Sequence, residues 1–152
     1  MTTKVLMVCL GNICRSPLAE GILQSKVDSE TVFVDSAGTG GYHIGNQPDI
    51  RSIAVAQKYG LDISHQRCRK FEIQDFLNFD VIYVMDKSNY ENVISKSRNE
   101  QEKLKVKLLL SEANSDADEV PDPYYGGEDG FESVFHLIDN ACEHISRKLN
   151  SK

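Results

Sequence analysis

The chain has 152 residues, 40% of them hydrophobic and 26% charged, with a net charge of -6. That is the size and make-up of one soluble globular domain, residues 1–152, with enough chain to bury a core. The negative balance excludes a general affinity for nucleic acid or anionic membranes, so any anion site must be local.

The start of the chain, Met1-Thr2-Thr3-Lys4-Val5, lacks the long apolar region of an export signal. No apolar stretch approaches the ~18 residues of a membrane span, and a cytoplasmic protein is expected. The four cysteines, Cys9, Cys14, Cys68 and Cys142, are therefore expected to be free thiols. Their spacing contains no close pairs of the zinc-binding kind, so no metal site is expected.

Taken in order, Lys4 to Val8 is an apolar strand. A helix is expected from Leu18 to Val27, with Pro17 suited to its first position. Thr31 to Asp35 reads as a second strand, followed by a glycine-rich loop, 38–45. Ile50 to Tyr59 has helical spacing and a glycine stop at Gly60. A short helix over Phe71 to Leu77 leads to a third strand, Asp80 to Met85, whose continuous apolar run suits burial on both faces. Lys87 to Ser97 is expected to be helical and Val106 to Leu110 a fourth strand. A polar, acidic loop follows. Then come two prolines, Pro121 and Pro123, which exclude a helix there. The last helix carries one apolar stripe: Phe131, Val134, Phe135, Ile138, Ala141, Cys142, Ile145 and Leu149. Asp129 and Glu132 mark its start.

Alternating strands and helices predict an α/β fold with a parallel sheet, whose ligands sit beyond the carboxyl ends of the strands. Cys9 stands at such an end. The stretch Cys9-Leu10-Gly11-Asn12-Ile13-Cys14-Arg15-Ser16-Pro17 joins the first strand to the first helix. A loop at a helix N-terminus turns N–H groups inward and cradles anions. Five intervening residues can wrap three phosphate oxygens, Gly11 offers conformational freedom, and Arg15 offers a planar fork for two of those oxygens. Its charge, the loop amides and the helix dipole all favour the thiolate of Cys9, which is a nucleophile. Taken singly, Cys9 reads equally well as a small core residue and Arg15 as a surface one; the motif in context is what singles them out. Ser16 has two competing roles, donor to the sulfur and helix cap.

Transfer of a phosphoryl group to sulfur expels an alkoxide or phenolate, which leaves faster when protonated. Asp122, held between two prolines, is the candidate acid; by itself it reads as a turn aspartate. Asp116, Asp118 and Glu119 look like a solvated run. Tyr124 and Tyr125 can wall a cleft for an aromatic ring, with Tyr42 as the opposite wall.

These residues resemble the low-molecular-weight protein tyrosine phosphatase family, closely at 9–17 and at Asp122-Pro123-Tyr124-Tyr125, and in overall length and motif order. The resemblance implies a three-layer fold: a four-stranded parallel sheet, helices on both faces, and a phosphate-binding loop, Leu10 to Ser16, after the first strand. It implies Cys9 as nucleophile, Arg15 as phosphate binder, and Asp122 as general acid and then base, with no cofactor. Asn12 would be tied to His65 to support the loop, with Ser16. A reversible Cys9–Cys14 disulfide would protect the nucleophile. The expected partner is a tyrosine-phosphorylated protein, with a tyrosine kinase as one candidate, and a phosphate or other oxyanion in the site. Two relatives of the same fold compete. A thioredoxin-linked arsenate reductase would need a close resolving pair, which Cys68 and Cys142 do not form. A protein arginine phosphatase would carry threonine where this chain has Ile13. A non-catalytic phosphate-binding module would need neither Cys9 nor Asp122.

Overall fold

A computed structural model describes residues 2–113, 116–124 and 128–150. Four strands form one sheet: β1 (Thr3–Cys9), β2 (Val32–Gly38), β3 (Val81–Val84) and β4 (Val106–Leu108). All are parallel, in the order β2-β1-β3-β4. Six helices accompany them among the described residues: α1 (Arg15–Lys26), α2 (Ile50–Lys58), α3 (Asp75–Asn78), α4 (Lys87–Ile94), α5 (Glu100–Leu104) and α6 (Glu128–Asn150).

The pleat of β1 explains the layering. Val5, Met7 and Cys9 pack on one face with α1, α2 and α6; Leu6 and Val8 pack on the other with Phe76 of α3 and Val93 of α4. A fully buried aliphatic side chain contributes about 1.5–3 kcal/mol. Val5 to Val8 are all fully buried, so β1 is a rigid mount for whatever follows it. The chain leaves β1 for β2 on one side and returns to β3 on the other. The crevice therefore opens at the carboxyl ends of β1 and β3.

The apolar stripe of α6 is buried from Phe131 to Ile145, as its spacing predicts. No helix among the described residues is long and apolar enough to cross a membrane.

Several boundaries differ from the sequence expectation. α1 begins at Arg15, so Pro17 stands inside the first turn, where its missing N–H still costs nothing. α6 begins at Glu128, one residue before the expected start. The short helix is Asp75–Asn78, and α4 stops at Ile94. β4 ends at Leu108, where a 3-10 turn, Leu109–Glu112, takes over. α5 was not foreseen. It is too short for apolar periodicity, and local polar bonds hold it: Asn99 caps the Glu102 N–H, and Arg98 pairs with Glu102 at 2.7 Å.

Candidate active site

The turn from β1 into α1 wraps around a sulfur. Cys9 Sγ accepts the Asn12 N–H at 3.3 Å and lies 3.0 Å from Ser16 Oγ. The residue capping α1 is Cys14, with no side-chain cap bond, so Ser16 is not the cap. Its hydroxyl is turned to the sulfur.

Asn12 has φ 57°, the left-handed region that asparagine tolerates better than most residues. The freedom expected of Gly11 is thus used one position later. Gly11 lies close under His43: a Cβ there would stand 3.3 Å from His43 Cδ2, and the imidazole would have to shift by a few tenths of an ångström. Asn12 is pinned from all sides. Its Nδ2 donates to Ser16 Oγ at 2.8 Å and to Ser36 Oγ at 3.0 Å, and its Oδ1 accepts the Arg69 N–H at 3.0 Å. Its carbonyl accepts the Cys68 thiol at 2.7 Å. The expected tie to His65 is not among these bonds. His65 is exposed, and Ser36 and the Arg69 backbone hold Asn12 instead. Beneath the loop, a Cβ at Gly38 would lie 2.8 Å from the Leu10 carbonyl oxygen, so the loop rests directly on β2.

Arg15 is 2% exposed. Its Nη1 donates to Asp86 Oδ2 at 2.7 Å and to the Val120 carbonyl at 2.9 Å. Its Nη2 points toward Asp122, with Oδ2 at 3.8 Å. Burial opposes the Arg15 charge, but Cys9, Asp86 and Asp122 outweigh burial and raise its pKa. Asp86 lies just past β3 and also caps α4 by accepting the Asn89 N–H. It is the buried arginine's fixed counter-charge. Sequence reasoning missed it; the signal was an aspartate at a strand's carboxyl end before a helix.

Val120 was missed as well. It is fully buried, and its N–H donates to the Met85 carbonyl at 2.8 Å, which ties the acid-bearing segment to the end of β3. Two residues on, Asp122 Oδ1 accepts the Tyr124 N–H at 3.0 Å. The turn role and a role toward the cleft are therefore compatible: one oxygen makes the turn and the other faces Arg15.

Cys9 and Arg15 open on a cleft of about 360 Å³, with Ile13 and Leu10 at its lip. Tyr42 and Tyr124 line it, as does His43, which carried no signal beyond lying in a glycine-rich loop. Tyr125 falls outside the described residues. Behind Tyr124 stands Arg51, whose guanidinium lies 5.4 Å from that ring and 4.6 Å from the Phe131 ring. Asp49 holds Arg51 by two bonds of 3.0 Å, and the Asp49 N–H donates to the Ile13 carbonyl at 2.7 Å. One short segment therefore braces both the cradle's lip and the aromatic wall.

The other cysteines are held as thiols. Burial pushes Cys14 up to about 12, with Asp49, Cys9 and Asp122 adding to the rise. Burial pushes Cys68 up to about 11, with Cys9 adding, and raises Cys142 strongly. A buried guanidinium, a helix N-terminus and a sulfur at the end of a strand make a place to hold a tetrahedral oxyanion against a nucleophile.

These groups stand together at the carboxyl end of a parallel α/β sheet. The profile of the family Low molecular weight phosphotyrosine protein phosphatase matches residues 4–152. A relative from Schizosaccharomyces pombe, named low molecular weight phosphotyrosine protein phosphatase, is 43% identical over 143 residues, 90% of each chain. The Homo sapiens protein of the same name is 39% identical over 154 residues, 98% of this chain and 97% of its own. The crystal structure of a protein tyrosine phosphatase from Entamoeba histolytica, with Hepes in the active site, superposes with a TM-score of 0.93 at 39% identity, covering 99% of this chain and 98% of that one. The chain belongs to the low molecular weight phosphotyrosine protein phosphatase family, a family of protein-tyrosine-phosphatases.

Proposed function

We propose that this chain hydrolyses protein phosphotyrosine, and small aryl phosphates, in two steps through a cysteinyl-phosphate on Cys9. In the first step the Cys9 thiolate attacks phosphorus while Arg15 holds the equatorial oxygens. The bond to the phenolic oxygen breaks, and the Asp122 carboxyl gives that oxygen its proton. In the second step the Asp122 carboxylate takes a proton from water as the water attacks phosphorus. The phosphorus–sulfur bond breaks, the returning thiolate receives the Ser16 hydroxyl proton as a hydrogen bond, and inorganic phosphate leaves.

One observation carries this reading: a cleft whose floor joins the Cys9 sulfur to the clamped Arg15 guanidinium, with Asp122 at its side. The Hepes in the Entamoeba histolytica relative, a sulfonate, is consistent with an oxyanion there. The lip formed by Ile13 and Tyr124 suits a phenyl ring better than a guanidinium. A tyrosine-phosphorylated protein, a kinase among the candidates, is the proposed partner, and the cytoplasm the proposed location.

Rates on phosphotyrosine peptides, phosphoarginine and arsenate, measured side by side without added metal, test the reading. Turnover of the first alone is expected, and arginine dephosphorylation or arsenate reduction at comparable rates would replace the reading.

The same site carries a redox proposal. Peroxide converts the Cys9 thiolate to a sulfenic acid, and the Cys14 thiol displaces water from it to form a disulfide. Mass spectrometry after mild peroxide is expected to find that bond; sulfinic acid at Cys9 beside a free Cys14 would refute it.

A further inference from the structure

Glu20 lies on α1 one turn beyond Ser16, half-buried, with no part in the two steps above. Its Oε1 accepts the Ser36 hydroxyl at 2.7 Å. Ser36 Oγ accepts Asn12 Nδ2 at 3.0 Å, the same amide donates to Ser16 Oγ at 2.8 Å, and Ser16 Oγ meets Cys9 Sγ at 3.0 Å. A continuous chain of hydrogen bonds links a carboxylate to the sulfur.

The Asn12 amide sets its direction. The Arg69 N–H on Asn12 Oδ1 sets the amide, because the opposite orientation would put two donors face to face. Asn12 therefore donates to both serines, and each serine has one hydrogen left to give. The Ser36 hydrogen goes to Glu20, which only accepts when ionised. With Cys9 as a thiolate, which only accepts, the Ser16 hydrogen goes to the sulfur at 3.0 Å in preference to the Ala37 carbonyl at 3.4 Å. Protonating Glu20 leaves Ser36 a neutral carbonyl oxygen in place of a carboxylate, a weaker acceptor. The bond into Ser16 is weakened with it, since bonds in such chains reinforce one another.

We propose that Glu20 is a positioning residue for the nucleophile: its carboxylate, acting through Ser36, Asn12 and Ser16, keeps the Ser16 hydrogen on the Cys9 sulfur. The inference rests on the reading of Cys9 as nucleophile. The charged groups acting on Glu20 are Asp35 of β2 and Arg69 of the segment after α2, itself paired with Asp75 of α3. Burial pushes the Glu20 carboxyl up to about 7, and Asp35 adds to the rise, against the Ser36 bond and Arg69. The strength of the chain thus depends on pH around neutrality. The raised value has a second consequence. Stability contributed by the protonated form is complete below the ordinary glutamate range and is lost as pH rises through about 7. Above neutrality the native protein keeps a carboxylate that opposes its folding.

The test uses p-nitrophenyl phosphate as substrate and three variants. Glu20→Leu removes the acceptor. It is expected to lower kcat about three- to tenfold at pH 7.5, with less effect on kcat/KM, because the Ser16 bond matters most when the thiolate departs. Glu20→Gln keeps an acceptor that never ionises. The wild type is expected to gain kcat as Glu20 ionises through about pH 7, and Glu20→Gln to lack that gain and to melt above the wild type at pH 8 but not at pH 4. Ser36→Ala breaks the same chain, and adding Glu20→Leu to it is expected to cost nothing further. A Glu20→Leu variant with wild-type kcat and pH profile would overturn the inference, as would independent, multiplying effects of Glu20 and Ser36. Activity surviving in Cys9→Ser would instead overturn the reading beneath it.

Discussion

The cradle and the acid-bearing segment meet at Arg15 but are built differently. From Cys9 to Ser16 the chain is densely bonded, with Cys9, Asn12, Cys14, Arg15 and Ser16 buried: Asn12 alone engages Ser16, Ser36, Arg69 and Cys68. From Val120 to Tyr124 the backbone is tied to the sheet at Val120, Pro123 is the one other buried residue, and Asp122 and Tyr124 stand exposed. The contrast follows from the proposed chemistry. Groups that stabilise charge work best preorganised, because any reorganisation would be added to the barrier. A group that delivers a proton to one leaving oxygen, and then collects one from water, needs access to both.

Variants in each half can break or sharpen that contrast. Cys9→Ser is expected to have the largest effect, with aryl phosphate turnover falling below detection while the protein still binds inorganic phosphate; residual turnover near wild type would remove Cys9 from its role. Asp122→Asn is expected to slow turnover by about 10²–10⁴ for poor leaving groups and far less for good ones. A flat dependence on leaving group, read from a series of substituted phenyl phosphates, would remove the acid. Asp86→Ala leaves Arg15 buried without its main counter-charge. A loss of about 3 kcal/mol is expected in urea unfolding, with weaker phosphate binding. If stability is unchanged, the cradle is less tightly specified than its bonds imply. Arg51→Ala is expected to have the smallest effect, a two- to fivefold (order-of-magnitude) rise in KM with kcat unchanged, because only the wall behind Tyr124 is loosened.

The same contrast governs how much was legible in the sequence. Cys9, Arg15 and the loop between them are contiguous, so spacing alone places them at a strand end and a helix start. The β1, β2 and β3 strands and the stripe of α6 were legible because burial on both faces, or on one, leaves a period. Asp86, Val120, Gly38 and Arg51 left no period. Each matters through a contact that closes over a long stretch of chain, such as Arg15 with Val120 across 105 positions. His65 was expected from resemblance alone, and the bonds it was meant to make are supplied by Ser36 and a backbone N–H. Asn12 taking the left-handed conformation beside a glycine was also illegible, since the requirement comes from Arg69, Ser36 and Cys68 arriving around it.

That long closure bears on when the molecule becomes competent. A ribosome releases the cradle early, but the carbonyl that receives Arg15 belongs to the last quarter of the chain. Until that quarter has docked on the end of β3, the nascent protein has a thiol and an arginine in the right order and no fixed pocket between them. Contacts so distant in sequence form late. The return of phosphate affinity on refolding should therefore coincide with the final cooperative step, making the anion a reporter of completed folding.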